Sequence, residues 1–238
     1  MYLYRDFRNM LKHLYMKKTL FTLAALVLGA LSMAGQTLSC EQYCGKARFA
    51  EANKNVDFKP LAVLMGDSIT EGWASKDPDF FTEHKLVGRG ISGQTTSQML
   101  LRFRDDVVAL QPKYVVILAG VNDIALNEGY SSLDGTVGNI ISMCEIALAN
   151  GIKPILCTPT PANVIPWRAE VTGTADKVDQ LKYMIRSYAA AKQIQVVDYW
   201  GALHDEYRGF PQKWAYDGIH PNLDGYKVME ELLLKKLK

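Results

Sequence analysis

Pro60-Leu-Ala-Val-Leu-Met-Gly-Asp-Ser-Ile-Thr70 reads as a short strand, Leu61 to Met65, stopped by Gly66-Asp67-Ser68. An unbroken apolar run bounded by turn formers marks a strand buried on both faces. Gly66 lets the backbone turn sharply, so Ser68 is presented at the carboxyl end of the strand. In open α/β sheets that end is where ligands bind. A serine hydroxyl is a weak nucleophile alone and needs a base within hydrogen-bond reach.

Beyond this stretch, further strand candidates lie at 86–90, 114–119, 152–157 and 194–198, with helical patterns between them. Alternation of this kind predicts an α/β fold with a parallel sheet. The helix over Thr95 to Leu110 carries Met99, Phe103, Val107 and Leu110 on one face. Arg102, Arg104, Asp105 and Asp106 are expected on the opposite, solvent face. A second helix fits 133–150 and stops at Gly151, and a third fits 174–192. The last starts at Asn222 as N-cap, with Leu223, Tyr226, Leu233 and Leu237 turned inward. There is no internal repeat and no sign of a second domain.

The 238 residues, 48% hydrophobic and 22% charged, suit one domain with a sizeable core. A net charge of +2 gives no argument for a nucleic-acid partner. Two lysines, an apolar run and small residues at Ser32 and Ala34 give Met16 to Ala34 the pattern of a secretory signal peptide. Residues 1–35 therefore read as presequence and signal, 36–57 as a leader segment, and 58–238 as the folded domain. Met1 to Tyr15 looks like an upstream start-site extension, with Met16 the alternative start. Cleavage near Ala34 removes five cationic residues and one acidic one, leaving a mature net charge of −2. The expected location is secreted or periplasmic. The run from Thr19 to Gly35 falls short of the roughly 20 residues that a membrane span needs. An uncleaved anchor is the alternative. Leu38-Ser39-Cys40 only loosely matches a lipoprotein acylation box. Export would permit a Cys40–Cys44 disulfide without requiring one. Cys144 and Cys157 read as core thiols.

Polar motifs follow the strands. Gly66-Asp67-Ser68 ends the first, Gly90-Ile-Ser-Gly93-Gln-Thr-Thr96 the second and Gly120-Val-Asn122-Asp123 the third. In a parallel sheet these loops converge on one edge. Asp217-Gly-Ile-His220-Pro221 precedes the final helix and can fold back over that edge. The short arc from Asp217 to His220 can set a carboxylate against one imidazole nitrogen, leaving the other to take a proton from Ser68. Gly93 can bring its N–H close to a developing oxyanion. The Asn122 amide and the Ser68 N–H can donate to the same oxygen. Each motif alone reads equally well as turn punctuation or a helix cap. Their combination in this order is far more specific. Asp67, Asp123 and Asp198 read as hydrogen-bonding braces for loops and strand ends.

These blocks resemble the SGNH hydrolases, or GDSL-like lipase/acylhydrolase family, with Ile69 where the family name has leucine. The similarity spans about residues 58 to 238. It implies a three-layer α/β/α flavodoxin-like fold around a five-stranded parallel sheet. It also implies Ser68 as nucleophile, His220 as base, Asp217 as its partner, and an oxyanion hole of Ser68, Gly93 and Asn122. Acyl transfer of this kind requires neither metal nor organic cofactor. No Cys/His cluster has zinc spacing, and no glycine loop has phosphate-cradling form.

Trp73, Trp167 and Arg168 lie near the motifs and are candidates for substrate contact, with packing as the alternative for each aromatic. Exposed rings would suit the apolar face of a sugar. The resemblance is closest to secreted bacterial members with short-chain, often acetyl-ester, activity on carbohydrates. The expected function is therefore a serine esterase for short acyl esters. A lysophospholipase or thioesterase of the same family is one alternative. A non-catalytic carbohydrate-binding module on the same scaffold is another.

Overall fold

Five parallel strands form the centre of the protein in a computed structural model that describes residues 38–238. The signal-like segment 1–35 lies outside the described residues. The strands are β1 (Ala62–Gly66), β2 (Leu86–Gly90), β3 (Tyr114–Leu118), β4 (Lys153–Cys157) and β5 (Gln195–Val197). The helices are α1 (Cys40–Tyr43), α2 (Ala50–Lys54), α3 (Ser68–Lys76), α4 (Pro78–Glu83) and α5 (Thr96–Asp106), then α6 (Val121–Ile124), α7 (Leu133–Ala149), α8 (Thr174–Lys192), α9 (Tyr199–Leu203) and α10 (Leu223–Leu234). Each strand lies within one residue of its expected bounds.

Alternate residues along a strand point to opposite faces. Val63 and Met65 of β1 join a core built with α5, α7 and α8, whereas Ala62 and Leu64 join one built with α3, α4, α9 and α10. Helices thus cover both faces of the sheet, and this is why the strands carry continuous apolar runs instead of alternating ones. The layering is α/β/α.

The strand order is β2-β1-β3-β4-β5, the flavodoxin order. Connections leave β1 towards opposite edges at this point, which opens a crevice at the carboxyl ends of β1 and β3. The register aligns Gly66 with Gly90 and with Leu118, so β1, β2 and β3 end level. Their three loops start side by side.

Three expectations need correction. Arg102 and Asp106 do not face solvent. Both are buried, joined at 2.8 Å, and Arg102 also donates to Gly66 O and Gln94 Oε1. The helix holding them ends at Asp106, and a separate 3-10 turn, Val108–Leu110, follows. Leu223 is exposed instead of turned inward, because it sits in the first turn beside the cap; Tyr226 and Leu233 are buried as expected. Asn222 caps α10, its Oδ1 accepting the Gly225 N–H at 2.9 Å.

Cys40–Lys238 folds as one compact unit, so residues 40–57 of the leader pack on the sheet domain. All four cysteines are free thiols; Cys40 is exposed and the other three are buried. Burial pushes the Cys144 thiol up to about 12 and the Cys157 thiol higher still, as suits inert core sulfurs.

Candidate active site

Ser68 opens α3 directly after β1. The turn is tight enough to require glycine at 66: a Cβ there would stand 2.1 Å from Thr70 Oγ1 and 2.9 Å from Leu118 O. Asp67 caps the helix, its Oδ1 accepting the Ile69 N–H at 3.0 Å. Burial pushes the Asp67 carboxyl up to about 6, against the Ile69 N–H and the nearby His220, which favour its charged form.

Across 152 positions of sequence, Ser68 Oγ lies 3.0 Å from His220 Nε2. His220 Nδ1 lies 2.7 Å from Asp217 Oδ2. A carboxylate at Nδ1 holds the proton there, leaving Nε2 as acceptor for the serine O–H. Asp217 Oδ1 accepts the N–H groups of His220 at 2.8 Å and Ile219 at 3.0 Å. Gly218 makes this arc possible with φ of 82°. Partial burial acts to raise the Asp217 carboxyl. The N–H and imidazole bonds from His220 outweigh it, with the Ile219 N–H, and hold the group below its usual range.

The neighbouring loops are braced against the same point. Ile91 N–H donates to Gly66 O at 3.2 Å, joining the start of the Gly93 loop to the turn before Ser68. Glu71 accepts from the Ser92 N–H at 2.9 Å and from the Ser92 hydroxyl. Gly93 has φ of 79°. Asn122 is buried, and its Nδ2 donates to Gln94 O at 3.0 Å. Asp123 accepts from Thr96 N at 2.9 Å and Thr96 Oγ1 at 2.6 Å, locking the second and third loops together.

The aromatic candidates divide. Trp73 is not at the site; this is a correction. It is 1% exposed, stacked between Phe80 and Tyr226 at 5.7 and 5.6 Å, with its Nε1 donating to buried Glu230. It lies in the first turns of α3, so it points into the core that the helix covers. Trp167 is 41% exposed, its ring 5.9 Å from that of His220. Arg168 donates to Leu126 O at 3.1 Å and pairs with Glu170 at 3.4 Å, bracing the loop beside Trp167. Sequence reading missed Asn127, which links Gly93, Asn122 and Trp167, and missed Arg102, which links Gly66 and Gln94. Asn127 follows a short helix in a loop with no pattern, and only its place five residues after Asn122 could have marked it. Among the described residues no group of three or more His, Cys, Asp or Glu could hold a metal.

Residues 64–228 match the family model of the GDSL-like lipase/acylhydrolases. The chain belongs to this family. It is a hydrolase acting on ester bonds. A solved GDSL-like lipase from Bacteroides thetaiotaomicron VPI-5482 is 42% identical with a TM-score of 0.79, over 82% of this chain and 98% of that one. An acetylxylan esterase from Geobacillus stearothermophilus is 25% identical over 163 residues, 64% of this chain and 72% of the relative. The lipoprotein YqeF of Bacillus subtilis is 42% identical over 79 residues, a stretch that spans only 32% of each chain.

Proposed function

We propose that this GDSL-family esterase removes short acyl groups, acetyl foremost, from carbohydrate esters through an acyl-serine intermediate. The observation that carries the mechanism is the unbroken relay Ser68 Oγ–His220 Nε2–Asp217, at 3.0 and 2.7 Å. Ser68 attacks the ester carbonyl while His220 takes its proton. Asp217 holds the imidazole in the required tautomer and steadies the imidazolium. The oxyanion rests on the N–H groups of Ser68 and Gly93 and on Asn122 Nδ2, each worth roughly 2.7–4 kcal/mol in the transition state. The alcohol leaves with the proton from His220, and water attacking through the same base frees the acid.

Support for a carbohydrate alcohol comes from the mouth of the site. Trp167 lies beside the His220 ring, and Tyr216, 63% exposed, precedes Asp217. Exposed aromatic faces suit the C–H face of a sugar. The acetylxylan esterase relative acts, by its name, on an acetylated polysaccharide. Export fits such a substrate, and the signal-like segment ahead of residue 36 is its basis. Among the described residues no helix is long and apolar enough to cross a membrane.

The test is a panel of nitrophenyl esters from acetate to palmitate together with acetylated xylo-oligosaccharides, run beside Ser68→Ala. Acetyl esters should be cleaved fastest, and the variant should lose more than about 10³-fold. Faster turnover of palmitate would favour the lysophospholipase reading. No turnover and no labelling by a fluorophosphonate would favour a binding module.

A further inference from the structure

Asn127 has no place in the proton relay or among the oxyanion donors, yet its side chain spends every hydrogen-bonding group at their border. Its Nδ2 donates to Asn122 Oδ1 at 2.9 Å and to Gly93 O at 3.0 Å. Its Oδ1 accepts the Trp167 Nε1–H at 3.0 Å. Its own N–H donates to Asn122 O at 3.1 Å. A carboxamide has two donor hydrogens and one acceptor oxygen, so this arrangement fits one orientation of the Asn127 amide only.

The consequence falls on Asn122. Its Oδ1 is claimed by Asn127, and one Nδ2 hydrogen by Gln94 O at 3.0 Å. The second Nδ2 hydrogen is then the one left to face substrate. A flipped Asn122 would point its oxygen at the developing oxyanion and its nitrogen at the Asn127 nitrogen, losing both contacts. The bond to Gly93 O anchors the peptide that follows Gly93, adjacent to the one whose N–H is the proposed donor. The bond from Trp167 ties the aromatic wall beside His220 to the same clamp.

We infer that Asn127 is a positioning residue: it locks the amide orientation of Asn122 and the Gly93 loop, and through Trp167 it sets the wall of the acyl and alcohol site. This rests on the proposed roles of Ser68, Gly93 and Asn122. Asn127 is only partly buried, so its replacement leaves the core intact. Asn127→Asp keeps the acceptor for Trp167 but loses both donors, placing an oxygen against Asn122 Oδ1 and Gly93 O. Trp167→Phe removes the indole donor and leaves the two donors of Asn127 in place.

The experiment measures kcat and KM for nitrophenyl acetate, and the rate of fluorophosphonate labelling, on full-length wild type, Asn127→Asp, Asn127→Ala, Asn122→Ala, the Asn122→Ala/Asn127→Ala double variant and Trp167→Phe. A misplaced donor costs rate, with effects of about 10²-fold for small displacements. Asn127→Asp and Asn127→Ala should lose 10-fold or more in kcat and in labelling, with KM within threefold. Trp167→Phe, assayed also on the nitrophenyl esters from acetate to palmitate, should shift the preference among acyl lengths. The double variant should lose less than the product of the two single losses, because Asn127 acts in part through Asn122; a merely structural role would multiply them. Full kcat in Asn127→Asp, or multiplied losses in the double variant, overturns the inference while the active wild type leaves the esterase reading standing. A wild type inert to both ester and probe overturns that reading and this one with it.

Discussion

Asp67 stands one residue before Ser68, 1% exposed, capping α3 with Oδ1. Its carboxyl is pushed up to about 6 by burial, against about 3.9 in an unfolded chain. Between those values the native state holds a proton that the unfolded state has released. Stability therefore falls as pH rises from about 4 to about 6, and stays lower above that. The difference between the two values corresponds to roughly 3 kcal/mol as an upper figure. Asp67→Asn keeps an oxygen for the Ile69 N–H and carries no charge. It should be more stable than wild type at pH 8 by about 1–3 kcal/mol, and the gap should close by pH 4. Urea midpoints at the two pH values measure this; a constant gap would mean that the buried charge is not what strains the turn. Asp217 has the opposite sign. Its contribution is present at neutral pH and is lost on acidification through its lowered value.

At the scale of elements, α5 shows what sequence patterns reveal and what they hide. Met99 and Phe103 are fully buried where helical periodicity puts them. Arg102 and Asp106, four apart, look like a solvent-exposed helix pair, the usual fate of such spacing. Here the face is covered by the leader, whose contact with α5 no local pattern encodes. The strands were legible because burial on both faces leaves apolar runs. Their order followed only from the family resemblance, because the strand patterns carry no record of which edge a crossover takes. Ser68, Asp217 and His220, the proposed triad, stand out in sequence because each sits at an element boundary among turn formers. Trp73 was misjudged because a helix following a motif has an inner face as well as an active end. Arg102 bridges Asp106, Gly66 O and Gln94 Oε1. Removing its carboxylate partner leaves a buried charge uncompensated, which typically costs 3–5 kcal/mol. Asp106→Ala should lose about that much in urea unfolding, whereas an exposed pair would lose under about 1 kcal/mol. The variant should also work more slowly, since Arg102 joins the turn before Ser68 to the loop of Gly93.

For the whole molecule, the same leader makes the catalytic end and the amino-terminal segment interdependent. Asn53 of α2 accepts from Arg89 Nε at 2.7 Å and donates to Asp106 Oδ1 at 2.8 Å and Asp105 O at 3.1 Å. The Phe49 ring lies 4.8 Å from the Arg89 guanidinium and 6.0 Å from that of Arg102. Cys44 O accepts from Gln94 Nε2 at 2.8 Å, next to Gly93, and Arg48 pairs at 3.0 Å with the Glu71 that holds Ser92. Buried Arg89 and Asp106 thus share hydrogen bonds with a residue that precedes β1, and buried Arg102 has the Phe49 ring beside it. A chain beginning at residue 58 strips Arg89 and Asp106 of their Asn53 hydrogen bonds and uncovers the apolar surface beneath Phe49, at several kcal/mol. For a protein of this size each kcal/mol shifts Tm by about 2–4 °C. That chain should melt at least about 10 °C below one beginning at residue 36, and Asn53→Ala should fall between them. Esterase activity should decline with the leader even at temperatures where the shortened chain stays folded, because the Gly93 loop loses its outer support. Calorimetry and nitrophenyl acetate turnover on the three chains decide it. Equal melting and equal rates would reduce the leader to a passive strap, with the buried charges satisfied from within the sheet domain alone.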